Sequence, residues 1–346
     1  MGTAGYADVR GLLSAARDAR LFSGAAWSVG TADGPVERGT LGTLATDGAP
    51  VADDTLWDLA SVTKPIVGLA ALALVERGAL GLDDTVGEYL PDHRDTDQAA
   101  ITVRQLLTHT SGLPGRQPLF RLHRNRSDLV AALAALPLRA RPGTAVEYSS
   151  AGFMVLGRVL AAASGLGLAE LVAGTVTGPV GMSDTGFRPS AADRERCAAT
   201  EDCPWRGRVV VGTVHDENAE VLGGVAGHAG LFGTHADLAG LGIALLRNGF
   251  LSPRTIALAG TSHTDQLGLR RGLGWQCRDA EGSPAGDLFG PDSYGHTGFT
   301  GTSLWIDPTL GRYAVLLTNR VHPSRHTPGF DRIRSRFHTM AAIATP

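Results

Sequence analysis

Ala60-Ser61-Val62-Thr63-Lys64-Pro65 holds the only lysine of this 346-residue chain, three residues after a serine. The other thirty side chains of the Lys and Arg total are arginine, so arginine serves wherever positive charge alone is wanted. An arginine keeps its proton near neutral pH, whereas a desolvated lysine can lose it, so position 64 calls for an amine that moves protons. Spacing by itself decides little. Eighteen serines in 346 positions put one at the third residue before a given lysine about one time in twenty. Downstream, Val62 to Arg77 carries apolar residues at helical spacing, and Pro65 sits in the first turn, where a missing amide hydrogen costs least. One helical turn brings the Lys64 amine over the Ser61 hydroxyl, where it can accept the proton as the hydroxyl attacks a carbonyl. The helix N-terminus adds partial positive charge suited to an oxyanion. The same residues also make a plain helix start, with Ser61 as N-cap and Lys64 on the surface.

Two further motifs follow in order. Tyr148-Ser149-Ser150 places a tyrosine and a serine two residues apart at a loop-to-helix junction, where a phenol can share the serine's proton or hand it to a leaving group. Read plainly, Ser149 or Ser150 is an N-cap and Tyr148 a staple. Tyr294-Gly295-His296-Thr297-Gly298-Phe299 opens a strand whose small residues let a substrate lie along its edge. The Phe299 amide can complete an oxyanion hole with that of Ser61.

Around these motifs the chain divides into strand-like ends and a helical middle. Ala25 to Thr31 and Val36 to Leu41 read as a hairpin about Ala32-Asp33-Gly34-Pro35, and Thr300 to Asp307 with Arg312 to Asn319 as a second antiparallel pair. Helices are expected over Val62 to Arg77, Asp128 to Leu136, Ser149 to Ala163 and Ala236 to Arg247. Ser127-Asp128 is expected to cap the second and a Thr234 to Asp237 capping box to open the last. Gly78, Gly165 and Gly249 sit where helices stop. The expected architecture is α/β (α+β): an antiparallel sheet built from both termini and flanked by helices, residues 1–80 plus 290–346, with a mainly helical lobe, 81–289, inserted. The cleft between the lobes holds the site.

Composition narrows the function. Net charge is −3 with no basic block, which argues against nucleic acid or an anionic membrane surface as partner. A chain starting at Met1 with no signal-peptide pattern and no apolar span of about 18 residues is expected in the cytoplasm. Cys197, Cys203 and Cys277 form no paired framework and are expected as free thiols. The scattered histidines have no metal-site spacing, so no metal and no cofactor are expected. The oligomeric state is not legible.

Together, Ser-x-x-Lys, Tyr-x-Ser and His-Thr-Gly resemble the serine β-lactamase and penicillin-binding-protein superfamily. More narrowly, they resemble its branch of class C β-lactamases, family VIII carboxylesterases, and carboxypeptidase and aminopeptidase homologues. The likeness extends to Leu56 to Ala60, Ile101 to Pro114, Pro142-Gly143-Thr144, Gly181 to Thr185 and Gly223 to Leu231. It implies Ser61 as the acylated nucleophile, Lys64 as proton acceptor and Tyr148 as acid/base partner. Ser150, His296, Thr297, Gly298 and Phe299 would bind substrate. A Glu-x-x-Leu-Asn loop of the class A kind is missing, in keeping with the tyrosine branch. Two departures weaken the case for β-lactam hydrolysis: Ser150 stands where class C has an asparagine, and His296, charged only part of the time near neutral pH, stands where it has a lysine. His109 and Ser111 lie in a stretch that looks structural. Val214 to Asn218 and His228 flank a cleft loop and could touch substrate. Arg320 either binds an anion near the site or pairs with a surface carboxylate. The expected activity is a serine acyl hydrolase on a small ester, amide or β-lactam. The alternatives are an intracellular transacylase passing the acyl group to an amine or alcohol, and a non-catalytic binding or scaffold module.

Overall fold

In a computed structural model that describes residues 6–344, both ends of the chain meet in one six-stranded antiparallel sheet. Its strands are β1 (Gly24–Thr31), β2 (Gly34–Gly42), β3 (Gln276–Cys277), β4 (Tyr294–Thr297), β5 (Ser303–Asp307) and β6 (Arg312–Thr318), in the order β2-β1-β6-β5-β4-β3. The expected hairpin is β1-β2, bulged at Val29/Gly30. The C-terminal pair is β5-β6. β1 and β6 pair with each other, and both are buried almost throughout, because small and apolar residues line both of their faces. The C-terminal pair starts later than expected, at Ser303. Thr300 and Thr302 turn their hydroxyls away to donate to the Asp58 and Leu59 carbonyls, at 2.7 and 2.9 Å.

The principal helices are α1 (Tyr6–Asp18), α2 (Thr63–Glu76), α3 (Arg126–Ala134), α4 (Ser150–Ser164), α5 (His235–Arg247) and α6 (Phe330–Ala342). α1 and α6 close one face of the sheet over Leu13, Trp27, Leu316 and Phe337. α5 packs on the opposite face against β1, β5 and β6. α2 is buried on every side from Thr63 to Leu74, as suits a helix apolar all round from Pro65 to Val75. A mostly helical lobe is inserted between the two ends of the sheet, and the stretch 81–289 also supplies α5 to the sheet's face and β3 to its edge.

Helix ends follow side-chain chemistry, with small corrections. α3 begins two residues early because Asn125, not Ser127-Asp128, is its cap and accepts from the Asp128 amide. At α5, Thr234 accepts from the Asp237 amide, but no reciprocal box forms, since the Asp237 carboxylate is taken by the Asp184 amide and the Thr185 hydroxyl. α5 ends on left-handed Asn248, one residue before Gly249. Ser149 caps α4 and left-handed Gly165 ends it. The three cysteines are buried free thiols. Among the described residues no single helix is long and apolar enough to cross a bilayer.

Gly242 marks where α5 touches the sheet: a Cβ there would lie 2.8 Å from both Cβ and Cγ of buried Tyr313. Helix propensity favours alanine by about 1 kcal/mol, but overpacking against a ring rooted in β6 costs about 1–3 kcal/mol. Gly242→Ala is therefore expected to lower the urea midpoint, and a raised midpoint would show that α5 is not pressed against β6.

Candidate active site

Ser61 sits in a single 3-10 turn, Ala60–Val62, that leads directly into α2. Ala60 before it is forced to φ +48°, a conformation that costs a non-glycine residue on the order of 1–3 kcal/mol and must be held by its surroundings. Buried Asp58 does part of that work, accepting from the Ala60 amide at 2.8 Å and from the His215 amide at 2.6 Å. Burial raises the Asp58 carboxyl above its ordinary range, and these two bonds partly offset the rise. Gly298 packs so closely that a Cβ would stand 2.6 Å from the Leu59 carbonyl and 1.9 Å from the Thr302 hydroxyl, so only glycine lets β4 reach the Ser61 turn.

Lys64 has no exposed surface. Its Nζ lies in a 3.0 Å hydrogen bond with Ser61 Oγ and donates to the His228 carbonyl at 3.1 Å. The Tyr148 and Phe153 ring centroids are 4.8 and 5.8 Å away. The surface lysine of the plain helix-start reading is thereby excluded. His228 is held in turn by its Nε2 contact with Asp216, at 2.9 Å. Burial alone would raise the Asp216 carboxyl, but the charge and hydrogen bond of His228 together hold it below its ordinary value.

Above the amine opens a cavity of about 540 Å³. Ser61, Tyr148, Ser150, His296, Thr297, Gly298 and Phe299 all line it, with Lys64 beneath, whereas His109, Ser111, Val214, Asn218 and His228 do not. Ser149 is spent on structure: its hydroxyl accepts from the Gly152 amide and donates to the Pro114 carbonyl. Among the described residues neither the Ser61 nor the Phe299 amide has an acceptor. Both are aimed by their peptide partners, because C=O and N–H of a trans peptide point opposite ways. The Ala60 carbonyl accepts from the Thr63 amide, and the Gly298 carbonyl accepts from Arg334 at 3.1 Å.

His296 corrects the sequence reading. Burial, then the Lys64 charge, pushes its imidazole down to about 3, so it is neutral rather than partly charged. Its Nδ1 lies 2.8 Å from the Thr297 carbonyl. Positive charge comes instead from arginine. Arg320 lines the cavity, donates from Nε to the Phe299 carbonyl at 2.7 Å and lies 4.5 Å from the Phe299 ring centroid. No carboxylate is in ion-pair contact with it among the described residues, which decides between its two expected placements. Arg271, Arg325 and Arg334 also reach the cavity, and nothing in their spacing sets them apart from the other arginines. His215, Asp216 and Glu217 line it too, from the loop expected there, and the His215 ring stacks on Phe299 at 5.7 Å. Glu201, Cys203 and Glu217 are close enough to share a metal ion, but the Arg325 guanidinium already bonds both carboxylates and supplies their countercharge.

The arrangement suits a serine that forms an ester with a small acyl group, and known proteins agree. A profile of the family described as Beta-lactamase matches residues 9–336. Esterase EstB of Burkholderia gladioli is 34% identical over 330 residues, covering 81% of each chain. The structure of EstCE1, described as a hydrolase with promiscuous acyltransferase activity, superposes with a TM-score of 0.77 at 26% identity, over 96% of this chain and 98% of that one. Simvastatin synthase LovD of Aspergillus terreus shares the fold, with a TM-score of 0.79 at 22% identity over 99% and 98% of the two chains. The chain belongs to the beta-lactamase family, within the superfamily of serine hydrolases and acyltransferases with the penicillin-binding-protein fold, and is related to its class-C-like carboxypeptidases and esterases.

Proposed function

We propose that this protein is a serine acyltransferase that takes a small acyl group from an activated ester onto Ser61 and passes it to an alcohol or amine. The observation that carries the reading is the 3.0 Å contact between Ser61 Oγ and the fully buried Lys64 Nζ on the floor of the cavity. With the amine neutral, its lone pair takes the Oγ proton as Oγ bonds to the acyl carbon. The oxyanion is received by the Ser61 and Phe299 amides, each worth about a hundredfold to a thousandfold in rate. Tyr148 returns a proton to the departing alcohol, and the ester is left on Ser61. The acceptor then retraces these steps in reverse. An acceptor bound in the cavity beside the acyl group gains an effective concentration that water cannot match. The description of EstCE1 and the name of LovD support transfer, whereas the likeness to EstB supports the second reading, a carboxylesterase with water as acceptor. Arg320 leads us to add that the preferred donor or acceptor carries an anionic group.

Lys64→Arg preserves charge but cannot give up its proton, so acylation is expected to fall by about a hundredfold to ten-thousandfold. Intact mass after treatment with a fluorophosphonate reads this directly, and an adduct formed at the wild-type rate would remove Lys64 as the base. Adding alcohols or amines to a p-nitrophenyl butyrate assay is expected to divert product from butyric acid to butyryl ester or amide. Acid as sole product across a broad acceptor panel would establish the esterase reading. For Arg320→Gln, KM is expected to rise about tenfold for a p-nitrophenyl ester ending in a carboxylate and to stay unchanged for the neutral butyrate. Equal shifts for both esters would rule out an anion-selective role.

A further inference from the structure

His109 is a buried histidine outside the Ser61-Lys64-Tyr148 group, in a backbone conformation that only a few residue types accept, with φ +59°. It grips the chain on both sides of Tyr148. Its carbonyl accepts from the Glu147 amide at 3.0 Å, and its ring Nδ1 accepts from the Ser149 amide at 3.0 Å. The ring lies between two aromatic neighbours, with centroids 4.6 Å from Tyr148 and 5.0 Å from Phe153. The left-handed turn makes this double grip possible, since it lets one residue present carbonyl and side chain to the same segment.

Other bonds join the same two stretches. The Gly143 amide donates to the Thr110 carbonyl at 2.7 Å, and the Gly115 amide to the Glu147 carboxylate at 2.6 Å. These fix the loops to each other, but His109 alone reaches both amides next to the tyrosine and its ring as well.

We propose that His109 is a positioning residue that sets the direction of Tyr148 toward Ser61 and Lys64. The proposal rests on Tyr148 acting in proton transfer. The imidazole does this as a neutral ring, with Nδ1 bare to accept and the proton on Nε2. Lys64, Arg271 and the neutral His296 face it from α2, the loop before β3, and β4, and burial first, then the Lys64 and Arg271 charges, hold it well below the ordinary histidine value. A protonated ring would lose its bond to the Ser149 amide and bring positive charge beside the Lys64 amine.

The test compares two substitutions that both accept the left-handed backbone. His109→Gly removes ring and acceptor without strain, whereas His109→Asn places an amide oxygen where Nδ1 stood. With p-nitrophenyl butyrate, the glycine variant is expected to lose roughly tenfold to a hundredfold in kcat while KM stays within about twofold, and asparagine to recover most of that loss. If the glycine variant does not fold, His109→Gln, which carries its acceptor one carbon further out, takes its place with the same expected loss. An undiminished kcat, a loss carried by KM, or a loss that asparagine does not reduce overturns the proposal. Tyr148→Phe is assayed alongside. Full activity there removes the role of Tyr148 on which the proposal rests, whereas a crippled Tyr148→Phe beside an unaffected glycine variant removes His109 alone.

Discussion

A lysine amine with no exposed surface must find all of its partners inside the protein, and much of this molecule is arranged to supply them to Lys64. Leaving such a group unpaired costs several kcal/mol, so the fold has to bring oxygen atoms to it from elsewhere in the chain. One is local, the Ser61 hydroxyl a turn away. The other, the His228 carbonyl, is 164 residues distant in sequence, and its position depends in turn on Asp216 gripping the His228 ring. α2 can carry the amine inward only because α4 and the helical segments 168–177 and 253–260 pack around it.

The electrostatics around the amine are graded. A carboxylate directly on Nζ would hold its proton, and none is in ion-pair contact with it among the described residues. Asp216 is kept one residue away, behind His228. The two histidines closest to the reaction, His109 and His296, are neutral through burial, so they shape the site without adding charge to it. Positive charge is brought to the cavity by Arg320 and Arg271, which line it.

The two amides that face the cavity show how far apart in sequence one chemical function can be. The Ser61 amide is aimed by the first turn of α2. The Phe299 amide is aimed by Arg334 on the Gly298 carbonyl, and Gly298 approaches the Ser61 turn only because it lacks a side chain. Thr300 and Thr302 then tie the same segment to the carbonyls of Asp58, whose carboxylate accepts from the Ala60 amide, and of Leu59. Ser61 and these two amides are thereby tied to one another through backbone and side-chain bonds rather than being two surfaces that happen to meet.

Three local motifs taken together, with the family resemblance they carry, marked Ser61, Lys64, Tyr148 and the His296 to Phe299 stretch, because each depends on neighbours close in sequence: a serine one turn from an amine, a tyrosine at a helix start, glycines where backbone must come close. Sheet and helix periodicity likewise located the two hairpins and α2 to α5 to within a few residues, but not α1 and α6, which flank the sheet. What lay beyond it were properties set by distant atoms. That His296 is neutral follows from burial and from the Lys64 charge; that Arg320, Arg271 and Arg334 face the cavity, among thirty arginines, follows from where the strands and α6 end. The strand beginning at Ser303 rather than Thr300, and the use of Asn125 as a cap, reflect competition for hydrogen bonds that only neighbours in space could settle. The sequence by itself determined which side chains can do chemistry, since reactivity resides in residue type and near spacing. Only the tertiary structure decided their charge state and aim, since desolvation and hydrogen-bond direction depend on residues hundreds of positions away.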